Sequence, residues 1–225
     1  MKLEGITVLD LSLFLPGPAA TQIMADHGAR IIKVENPRAP EPTRSADAFP
    51  WQQGGETVMF RNTQRGKESI ALDLKTEAGK RALLALAKTV DVIVEAFRPG
   101  VAARLGIDYA ALSTDNPGLV YCSISAFGQT GPWCNRPAHD TATVAAAGVL
   151  DVTRSPEGTA GPAIIGVPIA DLPASNLALS GIPMALLRRQ TTGPADFVEL
   201  LMLAFVLAAS PNTMAPALQA AAAHN

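Results

Sequence analysis

Residues 5–35 read GITVLDLSLFLPGPAATQIMADHGARIIKVE, and this stretch decides the fold. Ile6 to Leu11 is a β-branched and aliphatic run between Gly5 and the Pro16-Gly17-Pro18 turn, the pattern of a short buried strand. Pro18 to His27 predicts a helix, with Gly28 placed to end it. Arg30 to Val34 is a second apolar strand. Strands apolar on both faces need helices on both faces, so strand, helix, strand predicts a parallel sheet.

The alternation continues downstream. Ser69–Leu74 predicts a third strand. Thr76–Lys88 predicts a helix, with Thr76 as cap, Glu77 in the first turn and leucines at 83, 84 and 86. Val90–Val94 and Leu119–Ser125 are the fourth and fifth strands. Short helical pieces at Val101–Leu105 and Tyr109–Thr114 lie between them. The expectation is an α/β fold with an open, Rossmann-like, mainly parallel sheet. Such sheets bind ligands beyond the carboxyl ends of their strands. That points to the loops Ser12–Pro18, Glu35–Arg44, Glu95–Gly100 and Ala126–Asp140. Past residue 140, Thr141–Leu150 is small and alanine-rich, and Ser155–Pro162 is rich in turn residues. Leu172–Arg189 predicts a long helix, Phe197–Glu199 a short strand, and another apolar helix follows. Pro211–Asn225 reads as a frayed alanine-rich tail.

The 225 residues are 48% hydrophobic and 17% charged with a net charge of −2, a globular balance with no basic excess for nucleic acid. Two cysteines, Cys122 and Cys134, exclude a disulfide scaffold and a zinc knuckle. The start lacks a signal-peptide core, and the longest nearly apolar stretch, Phe197–Ala209, contains Glu199 and is too short to span a bilayer. A cytoplasmic protein with no membrane partner is expected.

Each chemical candidate has a structural reading beside it. Glu35 follows the second strand as the ribose-binding acid of a dinucleotide site would. The first loop, however, has no G-x-G-x-x-G, which argues against nicotinamide. Arg65, Lys67, Lys75, Arg98 and Arg104 read from charge pattern as a solvated surface and secondarily as phosphate contacts. Asp171, before Leu172-Pro173, is placed to cap a helix. At a helix start it also has backbone N–H groups near it that can hold developing negative charge. His139-Asp140 has no second histidine at metal spacing, so no metal site is expected. There is no G-x-S-x-G elbow.

Taken in order, several stretches resemble a known family. They are residues 5–35; NTQRGKESIALDLKTEAGK at 62–80; DVIVEAFRPG at 91–100; RLGIDYAAL at 104–112; NPGLVYCSISAFGQTGP at 116–132; His139-Asp140; ADLPAS at 170–175; and ALLRRQTTG at 185–193. Together they resemble the family III CoA-transferases, the CaiB/BaiF group that includes α-methylacyl-CoA racemase. The likeness runs over about residues 1–205. It implies a large CoA-binding domain at 1–205, the start of a linker and small domain at 206–225, and a chain truncated before the rest. It implies a homodimer of interlocked rings, with acyl-CoA and a carboxylic acid as substrates, coenzyme A thus being substrate rather than cofactor.

The resemblance matches Leu72 and Lys75 to contacts with the adenine and phosphate end of CoA, and Arg104 to a further phosphate contact. The basic contact that follows K-x-E in the family falls on Arg38, two places after Asn36. Asp171 matches the catalytic aspartate, which would pass through an anhydride and an aspartyl-CoA thioester. His139 with Asp171 matches the acid/base pair of the racemases. Three functions are therefore implied: CoA-transferase, acyl-CoA racemase, or a CoA-binding fragment without turnover of its own.

Overall fold

The structure is a computed structural model, and it describes residues 1–47, 49–153, 161–194 and 196–211. In chain order the first half holds β1 (Thr7–Asp10), α1 (Pro16–Asp26), β2 (Arg30–Glu35), β3 (Gln52–Gln53), β4 (Glu56–Thr57), α2 (Val58–Gln64), β5 (Lys67–Ala71), α3 (Glu77–Ala87) and β6 (Val92–Glu95). The second half holds α4 (Val101–Leu105), α5 (Tyr109–Asp115), β7 (Val120–Ser125), α6 (Asp140–Ala146), α7 (Val149–Val152), α8 (Asp171–Thr192), β8 (Asp196–Leu201) and α9 (Met202–Ala209).

Six strands pair in the order β5-β2-β1-β6-β7-β8, and every pairing in that sheet is parallel. The strand order reverses between β1 and β6. At that switch the loops leaving two neighbouring strands diverge, and a crevice opens between them. Val8, Val92, Val94 and Cys122 pack beneath α1 and α8 on one face. Leu9, Ile32, Ile93 and Tyr121 pack beneath α3 and the short α4 and α5 on the other. Leu83 of α3 is fully buried, so Thr76, whose side chain accepts from the Gly79 N–H, starts a helix held mainly by its apolar stripe.

The expected strands and helices are present, with ends displaced by a few residues. Two pieces were not anticipated in the loop after residue 36: the β3–β4 hairpin and α2, which is capped by Thr57 through a bond from the Phe60 N–H. α9 runs through the expected domain boundary at 205, and its Val206 lies in the same core as β6 and α8. The turn-rich loop at 155–162 falls mostly outside the described residues, as does the tail beyond Pro211.

Lys67 is not on a solvated surface. Its Nζ donates to Asp10 Oδ2 at 2.9 Å and to Pro18 O at 2.9 Å. Asp10 and Lys33 are cross-strand partners, 3.8 Å apart as an ion pair, and Lys33 Nζ also lies 3.2 Å from Glu41 Oε2. Asp10 further accepts from the Ser12 N–H at 3.0 Å and the Thr21 hydroxyl at 2.6 Å. Two ammonium and two carboxylate groups thus neutralise one another inside the protein. Burial alone would raise the Asp10 pKa, but the two lysines and the hydroxyls hold it well below the usual carboxylate range. Glu35 follows the same logic: burial opposes ionisation, yet Arg44, the Glu41 N–H and Ser69 bring its pKa down to about 2. Both Arg44 nitrogens facing it bond to it, at 3.1 and 2.7 Å. Glu35 is therefore committed to Arg44 rather than to a ribose.

Replacing Asp10 with Ala strands the buried Lys67 ammonium group and leaves Lys33 with Glu41 alone, and should cost roughly 3–5 kcal/mol in urea denaturation. Because Asp10 and Glu35 have depressed pKa values in the folded state, their contribution is complete above about pH 5. It should be lost progressively as pH falls toward 2.

Candidate active site

The loop after β1 is set by the charge cluster below it. Glu41 Oε1 accepts from the Phe14 N–H at 3.0 Å, and Phe14 takes the left-handed region at φ 63°. Gly17 lies so close to Ser12 that a Cβ there would fall 2.2 Å from the serine Cβ, so only glycine lets α1 start at this point. Phe14 then meets His139 edge-to-face, with ring centroids 5.2 Å apart.

Across the crevice stands Asp171, the first residue of α8. The sequence reading made it the helix cap, and the structure assigns that role elsewhere. Among the described residues, the Asp171 side chain makes no capping bond. Asp140 Oδ1 instead accepts from the Ala170 N–H at 2.6 Å and the Asp171 N–H at 3.0 Å. Those two N–H groups are occupied by Asp140 and are not free to hold developing negative charge on a ligand. The Ser175 hydroxyl bonds Pro16 O at 2.7 Å, which ties α8 to the start of α1. Burial, and then the Asp140 charge, push the Asp171 pKa up to about 7.

Asp171 and His139 line one cavity of about 290 Å³ with Leu13, Phe14, Phe97, Arg98 and Arg136. A second cleft of about 410 Å³ is lined by Leu72, Lys75 and Arg104 together with Leu13, Phe97 and Asn36. Leu13 and Phe97 belong to both walls. Lys75 and Arg104 have no ion-pair partner among the described residues, and leucine, valine and alanine side chains line the slot with them. Arg38 lies outside that lining. It is largely exposed, 3.4 Å from Asp73 Oδ2, and its N–H bonds Asn36 Oδ1 at 2.9 Å, so it stands at the cleft rim. The sequence reading missed Leu13 and Phe97 as wall residues, since apolar residues in strand-end loops carry no distinguishing signal. It named Arg98 only as a basic residue and Arg136 not at all. Among the described residues, no group of three His, Cys, Asp or Glu side chains could hold a metal ion, and no helix is long and apolar enough to cross a membrane.

Fold and site together define a doubly wound α/β protein in which a cleft lined by Lys75 and Arg104 adjoins a cavity holding a half-buried carboxyl group. A sequence model of CoA-transferase family III matches residues 3–225, and the chain belongs to that family. It is 39% identical over 199 residues to "Acetyl-CoA:oxalate CoA-transferase" of Acetobacter aceti, covering 88% of this chain and 50% of that protein. It is 35% identical over 201 residues to "Alpha-methylacyl-CoA racemase" of Homo sapiens, covering 88% and 47%. A solved CAIB/BAIF family protein from Brucella suis superposes with a TM-score of 0.87 at 33% identity, covering 96% of this chain and 57% of that one. The chain spans about half the length of the curated relatives it matches.

The raised Asp171 pKa has a consequence for stability. The unfolded chain loses this proton near pH 4, while the folded chain keeps it to about pH 7. The native state binds more protons across that window, so stability falls as pH rises through it. Asp171→Asn should therefore stabilise the chain by on the order of 2–4 kcal/mol at pH 8 and by far less at pH 4. Urea denaturation of both forms at the two pH values measures this, and an equal difference at both would contradict the assigned pKa.

Proposed function

We propose that this chain carries the CoA-binding part and the reacting carboxylate of an enzyme that moves coenzyme A between an acyl-CoA thioester and a carboxylic acid. The observation behind this reading is that the Asp171 cavity and the Lys75–Arg104 cleft share the wall formed by Leu13 and Phe97. A ligand with a phosphorylated ring at one end and a thioester at the other would run along that wall.

In the reaction, ionised Asp171 attacks the thioester carbonyl and CoA thiolate leaves, giving a mixed anhydride. The thiolate then attacks the aspartyl carbonyl and expels the donor acid, leaving Asp171 as a CoA thioester. The acceptor carboxylate attacks that thioester to form a new anhydride. The returning thiolate attacks its acyl carbon, which releases the product acyl-CoA and regenerates the aspartate. Exclusion of water from the anhydride is what the apolar walls around Asp171 supply.

A second reading rests on a different observation. A carboxyl group with a pKa near 7 beside a histidine whose ring is held against Phe14 suits removal and return of an α-proton. That would be acyl-CoA racemisation by His139 and Asp171.

Incubation with a labelled acyl-CoA, followed by peptide mass analysis and an α-proton exchange assay in D₂O, separates the two. Transfer is expected to leave an acyl or CoA adduct on Asp171 that Asp171→Ala abolishes. Exchange without adduct would favour racemisation. CoA binding with neither signal would leave a binding part without turnover. Lys75→Ala and Arg104→Ala should each weaken CoA binding about tenfold, near 1.4 kcal/mol, by calorimetric titration.

A further inference from the structure

A third cavity, again of about 290 Å³, lies on the opposite sheet face from Asp171. Three adjacent strands build its floor. Glu95 at the end of β6 is in register with Ser123 of β7, and Tyr121 of β7 is in register with Phe197 of β8. Asp108 and Tyr109, at the start of α5, form its side.

The charge character of this cavity differs from the other two. No lysine or arginine lines it, whereas Arg98 and Arg136 line the Asp171 cavity and Lys75 and Arg104 the cleft. Glu95 is 3% exposed and has no cationic partner among the described residues. One of its oxygens accepts from the Phe97 N–H at 2.7 Å, and burial raises its pKa above the ordinary value, an effect that a bound cation would oppose. The Ser123 oxygen is bonded by the Gln129 amide at 2.8 Å. Tyr121 is 2% exposed, and its phenol has no hydrogen-bond partner among the described residues. Burial and then the Glu95 and Asp108 charges raise the pKa of that phenol. The Tyr109, Tyr121 and Phe197 rings lie 5.5–6.2 Å from one another.

Two acidic groups, three aromatic rings and no side-chain cation make a cavity selective for positive charge. A cation gains from ring faces and from a carboxylate that has no other counter-charge. We propose that this cavity is a binding site for a small organic ammonium ion. The cation would pair with Glu95 and Asp108 and rest its alkyl part on the aromatic rings. The volume is at the lower edge of small-molecule sites, so the ligand is a compact amine rather than a nucleotide. The cavity shares its sheet face with the Lys75–Arg104 cleft: Ala102 and Ala103 of α4 line the cavity, and Val101, Arg104 and Leu105 line the cleft.

The test titrates the 225-residue chain with propylammonium, using n-propanol and propionate as neutral and anionic controls of similar size. Saturation-transfer NMR reads the binding. Propylammonium should saturate in the millimolar range, about what four heavy atoms permit, while the two controls should not. Glu95→Gln should weaken it at least tenfold and Asp108→Asn at least threefold. Asparagine can still cap α5, so Asp108→Asn remains informative if Glu95→Gln fails to fold by far-UV circular dichroism. Absence of saturation by propylammonium, equal binding of propanol, or unchanged affinity in a folded variant would each overturn the proposal.

Discussion

The buried quartet of Asp10, Lys33, Lys67 and Glu41 is the constraint on which the rest of the molecule depends. It joins the carboxyl end of β1 at Asp10, the middle of β2 at Lys33 and the amino end of β5 at Lys67, directly beneath the loop after β1, where open sheets place their ligands. Each charge compensates another, and hydroxyl or main-chain groups take up much of the remaining hydrogen-bonding capacity. Such a cluster is poor as a source of net stability but severe as a geometric condition, since moving any member strands its partners. Its geometry passes outward in short steps. Asp10 fixes Ser12 and, through Thr21, the first turns of α1. Glu41 fixes Phe14, and Phe14 fixes the ring of His139. A crevice at a strand-order reversal would otherwise be bounded only by loops.

The other wall is organised by a like-charge contact. Asp140 satisfies the first N–H groups of α8 and in doing so stands beside Asp171. Two effects compete there. The start of a helix favours an anion, while burial and a neighbouring carboxylate disfavour one. The second pair prevails, because the N–H groups that would have stabilised Asp171 are already bonded to Asp140. The site joins a carboxyl group near its titration midpoint at neutral pH to a cleft whose cations, Lys75 and Arg104, have no ion-pair partner among the described residues.

Much of the fold was legible because the sheet is buried on both faces. Runs such as Arg30–Val34 and Leu119–Ser125 have a composition that only covered strands tolerate. The β3–β4 hairpin and α2 escaped notice because they are short and largely exposed, and their composition resembles a loop. Lys67 was misread for a related reason: a lysine carries the same signal whether its ammonium group meets water or Asp10, and only the fold brings residues 10, 33, 41 and 67 together. Asp171 was rightly marked as sitting at a helix start. Its capping role went to Asp140, a residue 31 positions away in sequence that no local pattern connects to it. Leu72 was accessible only by resemblance, and charge pattern gave Lys75 and Arg104 no more than a secondary reading as phosphate contacts, whereas their convergence on one slot is a property of the loop after β5 and of α4 itself.

The contact between Asp140 and Asp171 has one more implication. A carboxylate kept in an unfavourable environment is a loaded spring, and its tension is released by whatever abolishes its charge. Protonation does so, and so does any electrophile that bonds to one of its oxygens. Burial and Asp140 therefore lower the free-energy cost of masking the Asp171 charge, and Asp140 does so without touching whatever masks it.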